Sequence, residues 1–372
     1  MKKNYLAAAL LLSCTLLSAQ AVQAEENFVN PTKLKSYGID AEKYFLTGFS
    51  HDASFIMLYQ PNTPKKKLEG LGFKLFIVNL SPTGNNIESV KEYEVPVTKW
   101  EYSMLTPDQK DIIIVTKAGA TFVKFNLETG KSTILHENIP GQPGFRAYPQ
   151  VLHYVDGEIF CTGYFHNEEG LCDVDCNATL DPNKEGVAAF HRVYDVQGMM
   201  VKMSPKAWTF TKKDMGFFCS EPDNYKDTSL MLEWNPPEMS KPKIFDVGKT
   251  LYAMWGAQNR LLYTMQREDD TFDLVLYDGK TLKKTFLDKG NKDMYFNLFM
   301  SADGKTALFT DTKNRVKRAA YFYADEANDW KITPVADFHG QAKPFGEIRI
   351  SDDGSKMVIK SKQGLTVANV KR

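Results

Sequence analysis

Two phrases in the last quarter of the chain say nearly the same thing. MSADGKTALFTDT runs from Met300 to Thr312, and ISDDGSKMVIKSK runs from Ile350 to Lys362. Each gives an apolar residue, Ser, a small or acidic residue, Asp-Gly, a short polar step and an apolar run. Anchored on the turn Asp, the same phrase recurs at Asp52, Asp108 and Asp156. Eight positions before each of the five Asp residues stands an aromatic: Tyr44, Trp100, Tyr148, Tyr295 and Phe345. Four positions after each lies an apolar residue: Ile56, Ile112, Phe160, Ala307 and Met357. Two fixed offsets kept five times make an internal repeat, and a repeat constrains the fold more than any single motif does.

Two looser units, Trp208 to Glu221 and Met254 to Asp269, keep an aromatic, a polar turn and an apolar run at shorter spacing. ATFVKFNLETGKSTIL and FDLVLYDGKTLKKTFL supply a third and a fourth strand, each pair joined by a Gly-containing turn. Each unit therefore predicts a four-stranded antiparallel meander. Seven units over residues 25–372 leave about fifty residues apiece, the length of a propeller blade. One meander cannot bury both of its faces, so radial packing is the natural solution. The expected fold is all-β: a single seven-bladed β-propeller domain spanning residues 25–372. The last unit stops one strand short, at LTVANVKR, and NFVNPTKLKSYG near the N-terminus is expected to supply the missing strand and close the ring.

The phrase S-x-D-G-K before an apolar strand resembles the repeat of secreted bacterial propellers, such as the Tol-system propeller and the propeller domains of prolyl-oligopeptidase-type enzymes. The resemblance implies architecture and no ligand, and the chain lacks the α/β-hydrolase domain of those peptidases. The Asp and Gly positions read as turn chemistry, since Asp satisfies backbone donors and Gly tolerates positive φ. The aromatics at offset minus eight read as packing between blades, with the lining of a channel mouth as the alternative.

Residues 1–24 read as a signal peptide: Lys2 and Lys3, an apolar stretch from Leu6 to Leu17, and small residues ending at Ala24. Lipidation at Cys14 is the rival reading, and the apolar stretch is too short to span a membrane. A periplasmic or secreted location follows. Lys plus Arg and Asp plus Glu both number 46, so no net field draws the chain to nucleic acid. Cys161, Cys172, Cys176 and Cys219 would remain in an oxidising compartment. We expect a Cys172–Cys176 disulfide closing a small loop, with Cys161 and Cys219 as buried thiols.

No nucleophile elbow, zinc-protease helix, phosphate loop or C-x-x-C stands in residues 25–372. His153, His166 and His191 fall in one unit and read as solvated or structural. Lys65 to Lys67 mark a hairpin tip. The stretch HNEEGLCDVDCNATLDPNKEG, from His166 to Gly186, reads as a polar insertion, and its His166, Glu168, Glu169, Asp173 and Asp175 as a binding loop. Oxygen side chains at Asp173, Asp175, Asn177 and Asp181 suggest a calcium loop, although Ala178 holds the turn-Gly position and Glu185 comes one residue late. The expected function is a monomeric binding or scaffold module for an envelope or extracellular protein, peptide or glycan. The alternative is a propeller enzyme, a lactonase or glycan-cleaving hydrolase, using axial acidic or metal-held residues.

Overall fold

The computed structural model describes residues 28–40, 42–62, 72–81, 87–116, 119–138, 144–155, 158–166, 172–183, 189–192, 208–212, 215–220, 229–234, 243–257, 260–311, 321–335, 347–361 and 364–370. Residues 1–27, which hold the expected signal peptide, lie outside them, as do Asp156 and Phe345 of the repeat. No helix among the described residues is long and apolar enough to cross a membrane.

The described strands assemble into seven four-stranded antiparallel sheets. Sheets 1 to 6 are each built from four consecutive strands, and their first strands are Phe45–Phe49, Tyr102–Leu105, Gly144–Val155, Trp208–Lys212, Thr250–Ala257 and Tyr295–Met300. Sheet 7 takes Glu347–Ile350, Lys356–Ser361 and Gly364–Asn369 from the C-terminal end. Its fourth strand is Phe28–Val29, which pairs with Gly364–Asn369 through Phe28 opposite Thr366 and Val29 opposite Leu365. The first strand of each sheet lies against the first strand of the next, and Glu347–Ile350 lies against Phe45–Phe49.

From Phe28–Val29 the chain enters a short helix, α1 (Pro31–Ser36). Asn30 caps it by accepting the Lys33 N–H at 2.9 Å, and Pro31 occupies the first turn, where no donor is needed. Leu34 is fully buried in the core that joins sheets 7 and 1.

The cores lie between sheets, which is why strands such as DIIIVT and TALFTD are buried on both faces. Tyr44, Ile56 and Phe76 of sheet 1 pack with Val358, Leu365 and Val367 of sheet 7. Met57, Leu75 and Ile77 of sheet 1 pack with Trp100, Ile112 and Phe125 of sheet 2. Leu262 and Leu276 of sheet 5 pack with Tyr295 and Phe309 of sheet 6. The repeat aromatics Tyr44, Trp100 and Tyr295 are all buried at these seams, so the packing reading holds for the three.

Four repeat turns share one set of bonds, which explains the conserved spelling within the chain. Ser301 Oγ donates to Asp303 Oδ1 at 2.6 Å and accepts the Thr306 N–H at 2.9 Å, while Asp303 Oδ1 accepts the Lys305 N–H at 3.0 Å. Ser351 and Asp353 repeat this with the N–H groups of Lys356 and Ser355. Thr106 and Asp108 repeat it with Asp111 and Lys110. In sheet 1, Ser50 accepts the Phe55 N–H and Asp52 accepts the Ser54 N–H. The residue after the Asp has positive φ in all four: 55° at Ala53, 60° at Gln109, 69° at Gly304 and 69° at Gly354. Gly suits that position because it lacks the Cβ clash, and Ala53 and Gln109 carry the strain instead.

Candidate functional site

Each sheet has two ends. At the turn end the first strand runs into the second; at the leading end the first strand begins and the second strand finishes. The turn end is a mesh of structural bonds. The Ala302 N–H donates to Asp352 O at 2.8 Å, Asp352 Oδ2 meets His51 Nδ1, and His51 Nε2 bonds Thr106 O at 3.0 Å. The His51 N–H in turn donates to Gln109 Oε1 at 3.0 Å. This chain of bonds ties the turns of sheets 6, 7, 1 and 2 together. Asp352 raises the His51 pKa above its ordinary value, against the opposing effect of burial.

Buried charge elsewhere is also engaged between sheets. Asp246, at the end of sheet 4, accepts Tyr263 Oη at 2.6 Å and pairs with Arg267 at 3.2 Å. Arg267 also pairs with Asp273 at 2.8 Å, and Lys284 approaches Asp246 at 3.3 Å. Burial works against the charge on Asp246, but Arg267 and Tyr263 together hold its pKa below the usual carboxylate range. Arg260 bridges sheets 5 and 6 through Asp278, Glu326 and Gly304 O.

The leading end of sheets 7, 1 and 2 differs. Phe45, Tyr59 and Trp100 form a stack: Phe45 and Tyr59 are 5.1 Å apart at 19°, and Tyr59 and Trp100 are 4.5 Å apart at 9°. Phe45 and Tyr59 are cross-strand partners, so register alone brings them face to face. Trp100 is 6% exposed and Phe45 is 41% exposed, so one end of the stack is anchored and the other lies at the surface. Across the seam, Lys360 Nζ lies 4.6 Å from the Phe45 ring centre and pairs with Glu347 at 3.0 Å. Glu347 Oε2 also accepts the Leu46 N–H at 2.6 Å.

Arg349 stands two residues along the same strand. Its Nε donates to Thr47 O at 2.9 Å and its Nη1 donates to Ile348 O at 2.7 Å. Among the described residues no carboxylate lies within ion-pairing distance of it, yet it keeps some accessible surface. Burial lowers its pKa, while Glu347 and Tyr59 act in the other direction. Burial pushes the Tyr59 hydroxyl up to about 12, with Glu347 adding to the rise and Arg349 opposing it. Tyr44 Oη and Thr47 Oγ1 are buried nearby in the sequence of sheet 1 with no hydrogen-bond partner. Sequence reasoning missed this group because its members come from opposite ends of the chain. Only the aromatic at offset minus eight marked Tyr44 and Trp100.

The structure rearranges the other expected site. The pattern at His166–Gly186 predicts a loop, but Cys172–Leu180 is the third strand of sheet 3, paired with Glu158–His166 and, over Cys176 to Thr179, with Ala189–Arg192. Asp173, Asp175 and Asn177 fall at alternate positions of that strand. Asp181 follows the strand and accepts the Asn183 N–H at 2.8 Å. Cys172 and Cys176 share the strand as well.

His166 ends the second strand of sheet 3, and Glu168 and Glu169 lie outside the described residues. In the backbone register His153 stands opposite Phe160, His166 opposite Gly144 and His191 opposite Asn177. Lys65 to Lys67 also lie outside the described residues, between the second and third strands of sheet 1, the connection that 167–171 makes in sheet 3. Among the described residues, no group of three or more His, Cys, Asp or Glu side chains is placed to hold a metal ion.

No protein-family model matches this chain, and no curated protein matches it. Solved structures do. An oligogalacturonate lyase in complex with manganese aligns with a TM-score of 0.57 at 11% identity, covering 89% of each chain. The oligogalacturonate lyase of Vibrio parahaemolyticus aligns at 0.55 and 9% identity, covering 89% of this chain and 90% of that one. The Cps50 (Swd1) β-propeller domain of Myceliophteria thermophila aligns at 0.50 and 8% identity, covering 88% and 96%. At these identities the likeness is one of fold. With its four-stranded antiparallel sheets, this chain is a β-propeller.

Proposed function

We propose that the chain is a seven-bladed propeller whose seventh blade is completed by Phe28–Val29, and that it works outside the cytoplasm as a binding module for a protein, peptide or glycan. The closed ring is supported by the cyclic order of contacts between first strands and by the pairing of Phe28–Val29 with Gly364–Asn369. The location rests on the pattern from Lys2 to Ala24, outside the described residues.

The observation that carries the binding reading is the shape of blade 3. Among the described residues its outer strand, Ala189–Arg192, pairs with Cys176 to Thr179, and the first three strands run on together to Gly144, His166 and Cys172. Gly144–Ala147, Gly163–His166 and Cys172–Asp175 thus extend beyond the described part of the outer strand at the leading end. Connections at the rim of a rigid scaffold often carry docking elements. Acidic residues at Glu168, Glu169, Asp173 and Asp175 favour a basic or cation-bridged partner, and such contacts weaken as salt screens them.

Replacing residues 167–171 with a short Gly-Ser turn tests this, because it leaves the strands intact. The variant is expected to fold and to lose capture of the partner from an envelope extract. Undiminished capture places the docking surface elsewhere. Turnover of a lactone or glycan panel by the wild-type protein replaces the binding reading with the enzyme reading.

A further inference from the structure

We propose that protonated His51 latches the turn of sheet 2 to the junction of sheets 7 and 1, and that loss of its proton opens the latch on the sheet 2 side. The inference is independent of what the protein binds.

The repeat itself sets up the contact. The middle residue of each Ser/Thr-x-Asp turn has a side chain that the turn's own bonds do not use. It is Ala302 in sheet 6, Asp352 in sheet 7, His51 in sheet 1 and Pro107 in sheet 2. Asp and His thus fall at equivalent places on sheets 7 and 1, and Asp352 meets His51 between them.

The bonds of His51 need two protons on one ring. Nδ1 faces Asp352 Oδ2, and Nε2 faces Thr106 O at 3.0 Å. A carboxylate and a backbone carbonyl only accept, so both nitrogens must donate, and only the imidazolium carries both N–H groups. The neutral ring has one. It stays on Nδ1, because the charged acceptor makes the stronger bond. Nε2 then turns a lone pair toward Thr106 O, and the tie between sheets 1 and 2 becomes a repulsion. Thr106 O keeps the Gln109 N–H at 2.8 Å, and the His51 side chain is 34% exposed, so water can serve the freed nitrogen.

The hydrogen bond to Asp352 raises the His51 pKa above its ordinary value near 6.5; burial opposes it, and the Asp352 charge and the Thr106 and Leu105 oxygens add to it. The latch is therefore closed below that ordinary value and opens as pH rises through the higher folded one. The other charged groups of these turns are engaged. Burial opposes the charge on Asp52 and Asp353, yet the hydroxyl and N–H donors of their turns hold both below the usual carboxylate range. Thr106 and the Lys110 N–H do the same for Asp108. Asp111 accepts from Asn126, Asp303 accepts from Ser301 and the Lys305 N–H, and Lys356 Nζ donates to Ala53 O at 3.4 Å.

NMR of the histidine ring nitrogens in the whole chain, with amide hydrogen exchange over the same pH series, tests the latch. His51 is expected to carry both protons in acid, to titrate above its ordinary value and to keep the Nδ1 proton when neutral. With intrinsic exchange rates allowed for, protection of the Gln109, Lys110 and Asp111 amides is expected to fall about threefold or more through that titration. The equivalent amides of sheet 6, Gly304, Lys305 and Thr306, are expected to hold theirs. His51→Gln, whose side chain does not titrate, is expected to erase the pH dependence, and Asp352→Asn to move its midpoint to lower pH. A neutral ring protonated on Nε2, a pKa at or below the ordinary value, or a sheet 2 turn equally protected on both sides of the titration would each overturn the proposal. So would a pH dependence that survives His51→Gln. Should that variant fail to fold, the wild-type series and Asp352→Asn decide, and a midpoint that Asp352→Asn leaves unmoved overturns it.

Discussion

Gly354 sits where sheet 7 leans on sheet 6, and Gly354→Ala isolates what that contact requires. Its φ is +69°, and an added Cβ would stand 2.6 Å from Thr306 Cβ and 2.7 Å from Thr306 Oγ1. Thr306 is 1% exposed and held in its own strand, so it has little room to yield. A left-handed conformation costs a non-Gly residue ~1–2 kcal/mol, and forcing extra volume into a packed site costs ~1–3 kcal/mol. Loss of backbone freedom in the unfolded chain returns ~0.4–1 kcal/mol. The balance is a destabilisation of about 2–4 kcal/mol, read as a lower urea midpoint at unchanged slope. Gly354→Asn separates the two costs, because Asn tolerates the left-handed region but still carries a Cβ. It is expected to lose at least as much as the Ala variant. A near-neutral Gly354→Asn would show that backbone strain, not the approach to Thr306, sets the requirement, and a near-neutral Gly354→Ala would refute both.

Three further outcomes follow from the bonds between blades. Arg267→Ala leaves Asp273 buried without its cation and Asp246 with Lys284 alone, and is expected to cost about 3–5 kcal/mol in equilibrium unfolding. The His51 pKa is raised in the folded state, so its pairing with Asp352 contributes fully below the unfolded value near 6.5 and fades as pH rises through the higher folded value. The stability gap between wild type and Asp352→Asn should therefore shrink on raising the pH, and the His51 ring should titrate lower by NMR in the variant. Removing residues 25–37 takes away Phe28–Val29 and the buried Leu34, and a markedly lower melting temperature is expected.

The repeat was legible because its spelling is local. Ser or Thr, Asp and the residue after it close a turn within six positions, and an aromatic eight positions earlier falls at a seam between sheets. A two-residue period of oxygen side chains, by contrast, fits both an ion-binding loop and a strand. Asp173, Asp175 and Asn177 were read as the former because polar side chains weaken the strand signal. The group around Arg349 was not legible at all. Glu347 meets Leu46 across 301 residues of chain, and nothing in either segment marks the other. The exposed ring of Phe45 likewise looks, in sequence, like any other apolar strand residue.

The pairing of Phe28–Val29 with Gly364–Asn369 also has a mechanical consequence. The two strands are antiparallel, with Phe28 opposite Thr366 and Val29 opposite Leu365, so the chain enters the first strand at the end where it leaves the second. That end is also the turn end, since the Val370 N–H reaches Ser355 O at 2.8 Å. Tension applied between the two ends of the domain would load those bonds one after another, as in a zip, and not all together in shear. The joint would open at low force when pulled from its ends, yet hold against forces that slide the two strands along each other.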